Sequence, residues 1–232
     1  MKYERVISGV FLKRPNRFIA HVRINGTEEI CHVKNTGRCR ELLVPGCTVY
    51  CFVSDNLARK TKYDLIAVEK KTKHGAFLVN MDSQAPNAAA KEWLQSGASP
   101  FGKLDVIKPE CKFGNSRFDF YLEKERRRIY LEVKGVTLED NGVVLFPDAP
   151  TERGVKHVQE LIHCHANGFE TYVLFVVQME QALHFTPNRE THPQFADALQ
   201  EAQKAGVQLL AYTCKVTPDE MIIDRPLGIW LI

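Results

Sequence analysis

The chain has 232 residues, 44% hydrophobic and 25% charged, an ordinary globular composition with enough apolar mass for one large domain or two small ones. No apolar run approaches the roughly 18 residues of a membrane span. The opening Met1-Lys2-Tyr3-Glu4-Arg5 lacks an apolar signal core, so the expected location is cytoplasmic. The net charge of +3 is unevenly spread: residues 1–80 hold 15 Lys and Arg against 7 Asp and Glu, and the remainder 16 against 21. A basic lobe beside a mildly acidic one points to a polyanion-binding module joined to something else. A plain solvated basic surface would read the same way.

The first 80 residues read as short strands at 5–12, 18–24, 28–33, 48–53, 63–68 and 76–79. Turn signals at Arg14-Pro15-Asn16, Asn25-Gly26, Pro45-Gly46 and His74-Gly75 separate them. Five or six strands in this length fit a small barrel, and the OB barrel is the leading expectation. One helical turn is expected over 38–43. Aromatic and basic residues mix here, with Phe11, Arg14, Arg17, Phe18 and Arg23, then Lys60, Lys62 and Tyr63. That mixture suits a base-stacking platform with phosphate-binding rims, although Phe11 and Phe18 suit a core equally well.

A helix is expected over 84–95, stopped by Ser96-Gly97, and Ser99-Pro100-Phe101-Gly102 reads as a connector. The pattern then changes to longer elements: strands at 104–113, 116–122, 128–134, 171–178 and 207–213, and helices at 151–167 and 193–205. The run Thr171–Val177 is continuously apolar, the mark of a strand buried on both faces. An antiparallel opening followed by alternating strands and helices gives a mixed sheet flanked by helices. The expected division is residues 1–82 and 83–232.

The seven cysteines (Cys31, Cys39, Cys47, Cys51, Cys111, Cys164 and Cys214) are odd in number and contain no C-x-x-C pair. This argues against a disulfide framework or a zinc ribbon and for core packing. His163 and His165 flank Cys164 on an expected helix, where residues two apart face different ways and do not share a metal.

The chemistry concentrates in two alternating runs, Arg117-Phe118-Asp119-Phe120-Tyr121-Leu122 and Ile129-Tyr130-Leu131-Glu132-Val133-Lys134. Period-two alternation puts Phe118, Phe120 and Leu122 on one face of the first strand, with Arg117, Asp119 and Tyr121 on the other. In the second, Tyr130, Glu132 and Lys134 share a face. If the runs pair across the 123–128 hairpin connection, Asp119, Glu132 and Lys134 converge. Two carboxylates and a lysine suit an oxygen-ligated Mg²⁺ or Mn²⁺ beside a substrate phosphate. A solvated sheet face is the plainer reading of such a triplet.

Three segments together carry a resemblance. They are His32-Val33-Lys34-Asn35-Thr36-Gly37-Arg38; Ser116–Phe120 with Glu132-Val133-Lys134; and Phe146-Pro147-Asp148-Ala149-Pro150-Thr151-Glu152-Arg153-Gly154-Val155-Lys156-His157. The chain resembles the sugar fermentation stimulation protein A family over essentially its whole length. The resemblance implies an OB-like N-terminal domain followed by a restriction-endonuclease-like PD-(D/E)XK domain, with nonspecific DNA binding and a regulatory role in sugar (maltose) metabolism. It makes Asp119 and Glu132 the metal-binding acids, Lys134 the catalytic lysine and Glu110 a further acid. Expected DNA contacts are Arg14, Arg17, Arg23, Asn35, Arg38, Arg117, Arg153, Lys156 and His157. An active Mg²⁺-dependent nuclease, and an RNA-binding or structural protein with an inactive nuclease fold, are the alternatives. The sequence leaves open a homodimer. In the last segment, Asp148 or Thr151 caps the helix, and Arg153 and Lys156 near its N-terminus form a phosphate-binding edge.

Overall fold

The computed structural model describes every residue except Thr36, Leu57, His74 and Ile232; Thr36 of the first resemblance segment and His74 of the expected His74-Gly75 turn therefore lie outside the described residues. Six strands form the first unit: β1 (Val6–Asn16), β2 (Ile19–Ile24), β3 (Thr27–Val33), β4 (Thr48–Val53), β5 (Tyr63–Thr72) and β6 (Gly75–Asn80). β1, β2 and β3 form an antiparallel meander, and β4 pairs antiparallel with both β1 and β5. The parallel β3–β5 pairing closes the barrel, leaving β6 as an added hairpin strand. This is the OB arrangement expected from the strand spacing.

One local expectation is corrected. The first turn does not lie at Arg14-Pro15-Asn16, because β1 runs through to Asn16. The Asn16 side-chain oxygen accepts from the N–H groups of Phe18 (2.9 Å) and Ile19 (3.0 Å), which moves the turn to Arg17-Phe18. Pro15 is tolerated inside β1 because the β1–β2 register is irregular between Lys13 and Asn16. The two aromatics also part company: Phe11 is buried in the barrel at 2% exposure, while Phe18 at the turn is 51% exposed. The residues after Arg38 form a single turn, with Leu43 N–H donating to the Cys39 carbonyl at 3.0 Å.

The second unit is a six-stranded sheet in the order β15-β14-β12-β9-β8-β7. Its strands are β7 (Val106–Phe113), β8 (Ser116–Lys124), β9 (Arg127–Val136), β12 (Glu170–Val177), β14 (Gln208–Val216) and β15 (Met221–Pro226). β9, β12 and β14 are parallel, and the outer strands are antiparallel to their neighbours. Helix α1 (Ala85–Ser96) covers one face. Helices α2 (Glu152–Ala166) and α3 (Pro193–Ala205) cover the other. The buried run on β12 alternates between the two cores: Val173, Phe175 and Val177 pack under α2 and α3, and Leu174 and Val176 under α1. β15 was not expected, nor was a small sheet of β10 (Leu138–Asp140), β11 (Val143–Phe146), β13 (His184–Pro187) and β16 (Gly228–Ile229). Pieces this short show too little alternation to register in sequence.

All seven cysteines are free, five of them buried and Cys47 and Cys111 half-buried. Cys31 and Cys51 meet inside the barrel at 3.8 Å. Among the described residues no helix is long and apolar enough to cross a membrane.

Buried polar contacts lock the two units together. Gln178 Nε2 donates across the boundary to the carbonyls of Asn80 (3.0 Å) and Asp82 (3.1 Å), and within the first unit Lys34 Nζ steadies Asp82 by donating to it at 2.8 Å, 3.7 Å from Asp64. Gly135, the residue after Lys134, lets α1 approach β9: a Cβ there would sit 2.6 Å from Pro86 Cγ and 2.5 Å from Gln178 Oε1. Gly135→Ala is therefore expected to lower stability by about 1–3 kcal/mol through overpacking, read as a fall in thermal midpoint. An unchanged midpoint would show that α1 has room to move.

Candidate functional site

The site lies where two paired strands separate. The β8–β9 ladder runs from Lys124↔Arg127 to Phe120↔Leu131 and stops there. Beyond it a side chain replaces the ladder, with Asp119 Oδ2 accepting from the Val133 N–H at 2.7 Å. Asp119 Oδ1 accepts from Asn87 Nδ2 on α1, also at 2.7 Å. The carboxyl is thus fixed from a strand and a helix at once.

This fork breaks the simple alternation expected for β8. Phe120 and Leu122 pack in the α1 core, but Phe118 lies in the core beneath α2, with its ring 5.4 Å from Tyr130 and 6.3 Å from His157. The expectation that Phe118 shares a face with Phe120 is corrected. The side chain of Asp119, reaching sideways to Val133 and Asn87, marks the slip. On β9 the expected grouping holds: Tyr130 packs under α2, and Glu132 reaches His157 of the same helix.

Glu132 is 3% exposed. Its Oε1 accepts from Lys134 Nζ at 2.6 Å and from His157 Nδ1. Arg153 Nε donates to His157 Nε2 at 3.3 Å, so the imidazole proton sits on Nδ1 and points at the carboxylate. Burial opposes ionisation of Glu132, but the hydrogen bonds from His157 and Lys134 outweigh it and hold the carboxyl below its usual range. The other oxygen, Oε2, is buried with no partner among the described residues, an arrangement that is costly unless something occupies it. Asp119 is pushed the other way, up to about 6, first by burial and then by repulsion from Glu132.

Two carboxylates therefore face each other's charge, and one of them has an unfilled oxygen. Oxygen donors of this kind fit a hard divalent cation. Among the described residues no three His, Cys, Asp or Glu side chains are grouped as a metal site, and His157, which touches Glu132, does so as a hydrogen-bond partner. Glu110, expected as a further acid, is placed elsewhere: it is exposed, has φ +55°, and its Oε2 pairs with Arg117 Nη1 at 3.3 Å.

The expected DNA contacts fall into two concave regions, with two exceptions. Arg117, Arg153, Lys156 and His157 line one cavity of about 430 Å³ together with Glu110 and Ser116. His157 is nonetheless buried, and its clearest role is to position Glu132. Arg14, Arg17 and Arg38 line a second groove of about 620 Å³ on the barrel, with Lys13, Arg40 and, from the far unit, Ala149. Arg14 is not available for phosphate in the way expected. Its guanidinium donates to the carbonyls of Arg17 (2.7 Å), Asn35 (2.7 Å), Gly37 (3.0 Å) and Arg38 (2.9 Å), so it builds the loop that presents Arg38. The exceptions are Arg23, exposed on β2 across from Glu28, and Asn35, whose Oδ1 accepts from the Gly37 N–H at 2.8 Å.

The first and third resemblance segments meet here. The Arg38 backbone N–H binds the Asp148 carboxylate, whose pKa is raised chiefly by burial. A Cβ on Gly37 would sit 1.9 Å from Asp148 Oδ2. Asp148 thus docks the barrel loop, and Thr151 caps α2 by accepting from the Gly154 N–H at 3.0 Å. Two site residues escaped the sequence reading. Asn87 had a weak signal, a poor helix former near the start of a helix. Ser116 opened the second resemblance segment, just after the Gly114-Asn115 turn, but was given no role.

Comparison with known proteins agrees with this fold. Residues 12–80 match the family described as SfsA N-terminal OB domain, and residues 84–220 match the sugar fermentation stimulation protein RE domain. A sugar fermentation stimulation protein homolog of Desulfitobacterium hafniense is 58% identical over 221 residues, covering 95% of this chain and 94% of that protein. The homolog of Ruminiclostridium cellulolyticum is 49% identical over 231 residues, with full coverage of both. The solved structure of Pyrococcus furiosus SfsA in complex with Ca²⁺ superposes with a TM-score of 0.87 at 27% identity, over 99% of this chain and 98% of that one. With both halves matched in order and relatives this similar along their whole length, the chain belongs to the sugar fermentation stimulation protein (SfsA) family.

Proposed function

We propose that this protein binds DNA without sequence preference, through the basic groove of its OB barrel, and holds a divalent cation between Asp119 and Glu132. The observation that carries the metal reading is the buried, unpartnered Oε2 of Glu132 beside a second carboxylate. The Ca²⁺ in the Pyrococcus furiosus relative supports it, since Ca²⁺ and Mg²⁺ both take oxygen ligands. The seven unpaired cysteines fit a reducing, cytoplasmic setting.

Placement of Lys134 against Glu132 favours a further step, hydrolysis of the phosphodiester. A bound cation would lower the pKa of its water and offset charge on phosphorus. The chain's own part is to orient the carboxylates through Asn87, His157 and the Val133 N–H, and to supply the Lys134 ammonium. The test is incubation with supercoiled, linear and single-stranded DNA in Mg²⁺, Mn²⁺ or chelator. Metal-dependent cleavage of any form is expected; none on any form would remove hydrolysis and leave binding alone.

Binding itself should be dominated by phosphate contacts. Affinity for unrelated duplexes should be nearly equal and fall steeply with salt, and Arg17→Ala or Arg38→Ala should weaken all of them alike and lower the salt slope by about 1. Titration of labelled duplexes at several salt concentrations checks this. Tight, salt-insensitive binding to one sequence would contradict it.

A further inference from the structure

The cavity beside His157 has a composition the metal site does not explain. The β7–β8 hairpin contributes Glu110, Ser116 and Arg117, and the first two turns of α2 contribute Arg153, Lys156 and His157. Arg117, Arg153 and Lys156 are exposed, so their charges are open to a ligand. Ser116 is 5% exposed, and its hydroxyl is buried with no partner among the described residues. A hydroxyl left unfilled in a cationic cavity is a donor without an acceptor. Three cations against the single carboxylate of Glu110 leave about two positive charges, where a phosphomonoester carries ≈ −1.5 to −2 and an internal DNA phosphate only one negative charge. Arg153 joins the cavity to the metal site, because its Nε donates to the imidazole that holds Glu132.

We propose that this cavity binds a terminal phosphate of DNA, a phosphomonoester, and so sets the Asp119–Glu132 centre at a fixed distance from a strand end. The proposal rests on the DNA-binding reading and deepens it: the protein would act on ends rather than on internal sites. Arginine forks and a lysine suit a phosphate dianion, and the Ser116 hydroxyl would donate to one of its oxygens. The Arg117–Glu110 pair is exposed and weak, so Arg117 can turn to the phosphate at little cost.

The test compares binding of short duplexes that differ only at their ends: 5′-phosphate, 3′-phosphate, or hydroxyl at both. Inorganic phosphate is titrated separately by calorimetry. Measurements are made without metal, so cleavage plays no part. A tenfold or greater preference for one phosphorylated end is expected, with the two phosphorylated arms telling which end. Lys156→Gln should abolish the preference, costing the phosphorylated duplex about tenfold more affinity than the hydroxyl-ended one. Asp119→Asn should keep the preference, which separates this site from the metal centre. Equal affinity for all three duplexes overturns the pocket and leaves the DNA-binding reading intact. If no duplex binds, that reading fails, and phosphate then decides the pocket: heat lost in Lys156→Gln supports it, and no heat in the wild type overturns it. Where all three duplexes bind equally, phosphate heat does not rescue the proposal, since the site would then serve the free anion.

Discussion

Lys134→Ala is expected to leave DNA affinity and divalent-ion binding nearly intact while cleavage falls by about 10²–10³-fold, the scale seen when one group stabilising transition-state charge is removed. Lys134 lies 2.6 Å from Glu132 Oε1, the oxygen that His157 also holds. Removing it leaves Glu132 positioned by the His157 hydrogen bond, so its free oxygen stays in place for a cation. What disappears is a positive charge that matters most as charge builds on phosphorus, and that loss appears in kcat rather than KM. Lys134→Arg should recover little, because the planar guanidinium is not an ammonium in size or hydration. Cleavage undiminished in Lys134→Ala would remove the lysine from the mechanism.

Asp119→Asn is expected to abolish divalent-ion binding, and acid should do reversibly what that substitution does permanently. Burial and repulsion from Glu132 raise the Asp119 carboxyl to about 6. A proton then competes with the cation, so metal affinity should fall as pH drops through about 6. In the metal-free protein the linkage has the opposite sign. The folded state holds this proton more tightly than the unfolded chain, whose carboxyl titrates near 3.8. Asp119 therefore adds stability as pH falls from above 6 toward 4, and opposes it above 6. Glu132, held below its usual range, does the reverse: its contribution is present above the ordinary glutamate range and is lost on acidification. Thermal midpoints across pH 4–8, with and without Mn²⁺, check both signs. A metal affinity flat from pH 5 to 8 would show that Asp119 is not a ligand.

The parts legible in sequence were those with long, regular periodicity. The barrel strands, the hairpin bearing Asp119 and Glu132, and the buried strand Thr171–Val177 all announce themselves by alternation or continuous apolarity. The convergence of Asp119, Glu132 and Lys134 followed from pairing two such runs. What sequence did not reveal were departures from regularity. The ladder stops at Phe120, so Phe118 changes face. Pro15 stays inside a strand because the register slips around it. Roles set by long-range contacts were equally hidden. Arg14 reads as a surface cation until the carbonyls of four loop residues are found around its guanidinium. His157 reads as a helix-surface residue until Glu132, 25 positions away, is found against it. Charge type was legible; whether a charge faces a ligand or its own backbone was not.

The unfilled oxygen of Glu132 and the carboxyl of Asp119 are expected to hold one divalent cation. Anomalous diffraction from crystals soaked in Mn²⁺ at pH 7.5 tests it directly. A manganese peak is expected within ligand distance of both Glu132 Oε2 and an Asp119 oxygen, with no such peak in Asp119→Asn. Wild-type crystals with manganese bound only elsewhere, or bound here unchanged in Asp119→Asn, would contradict it.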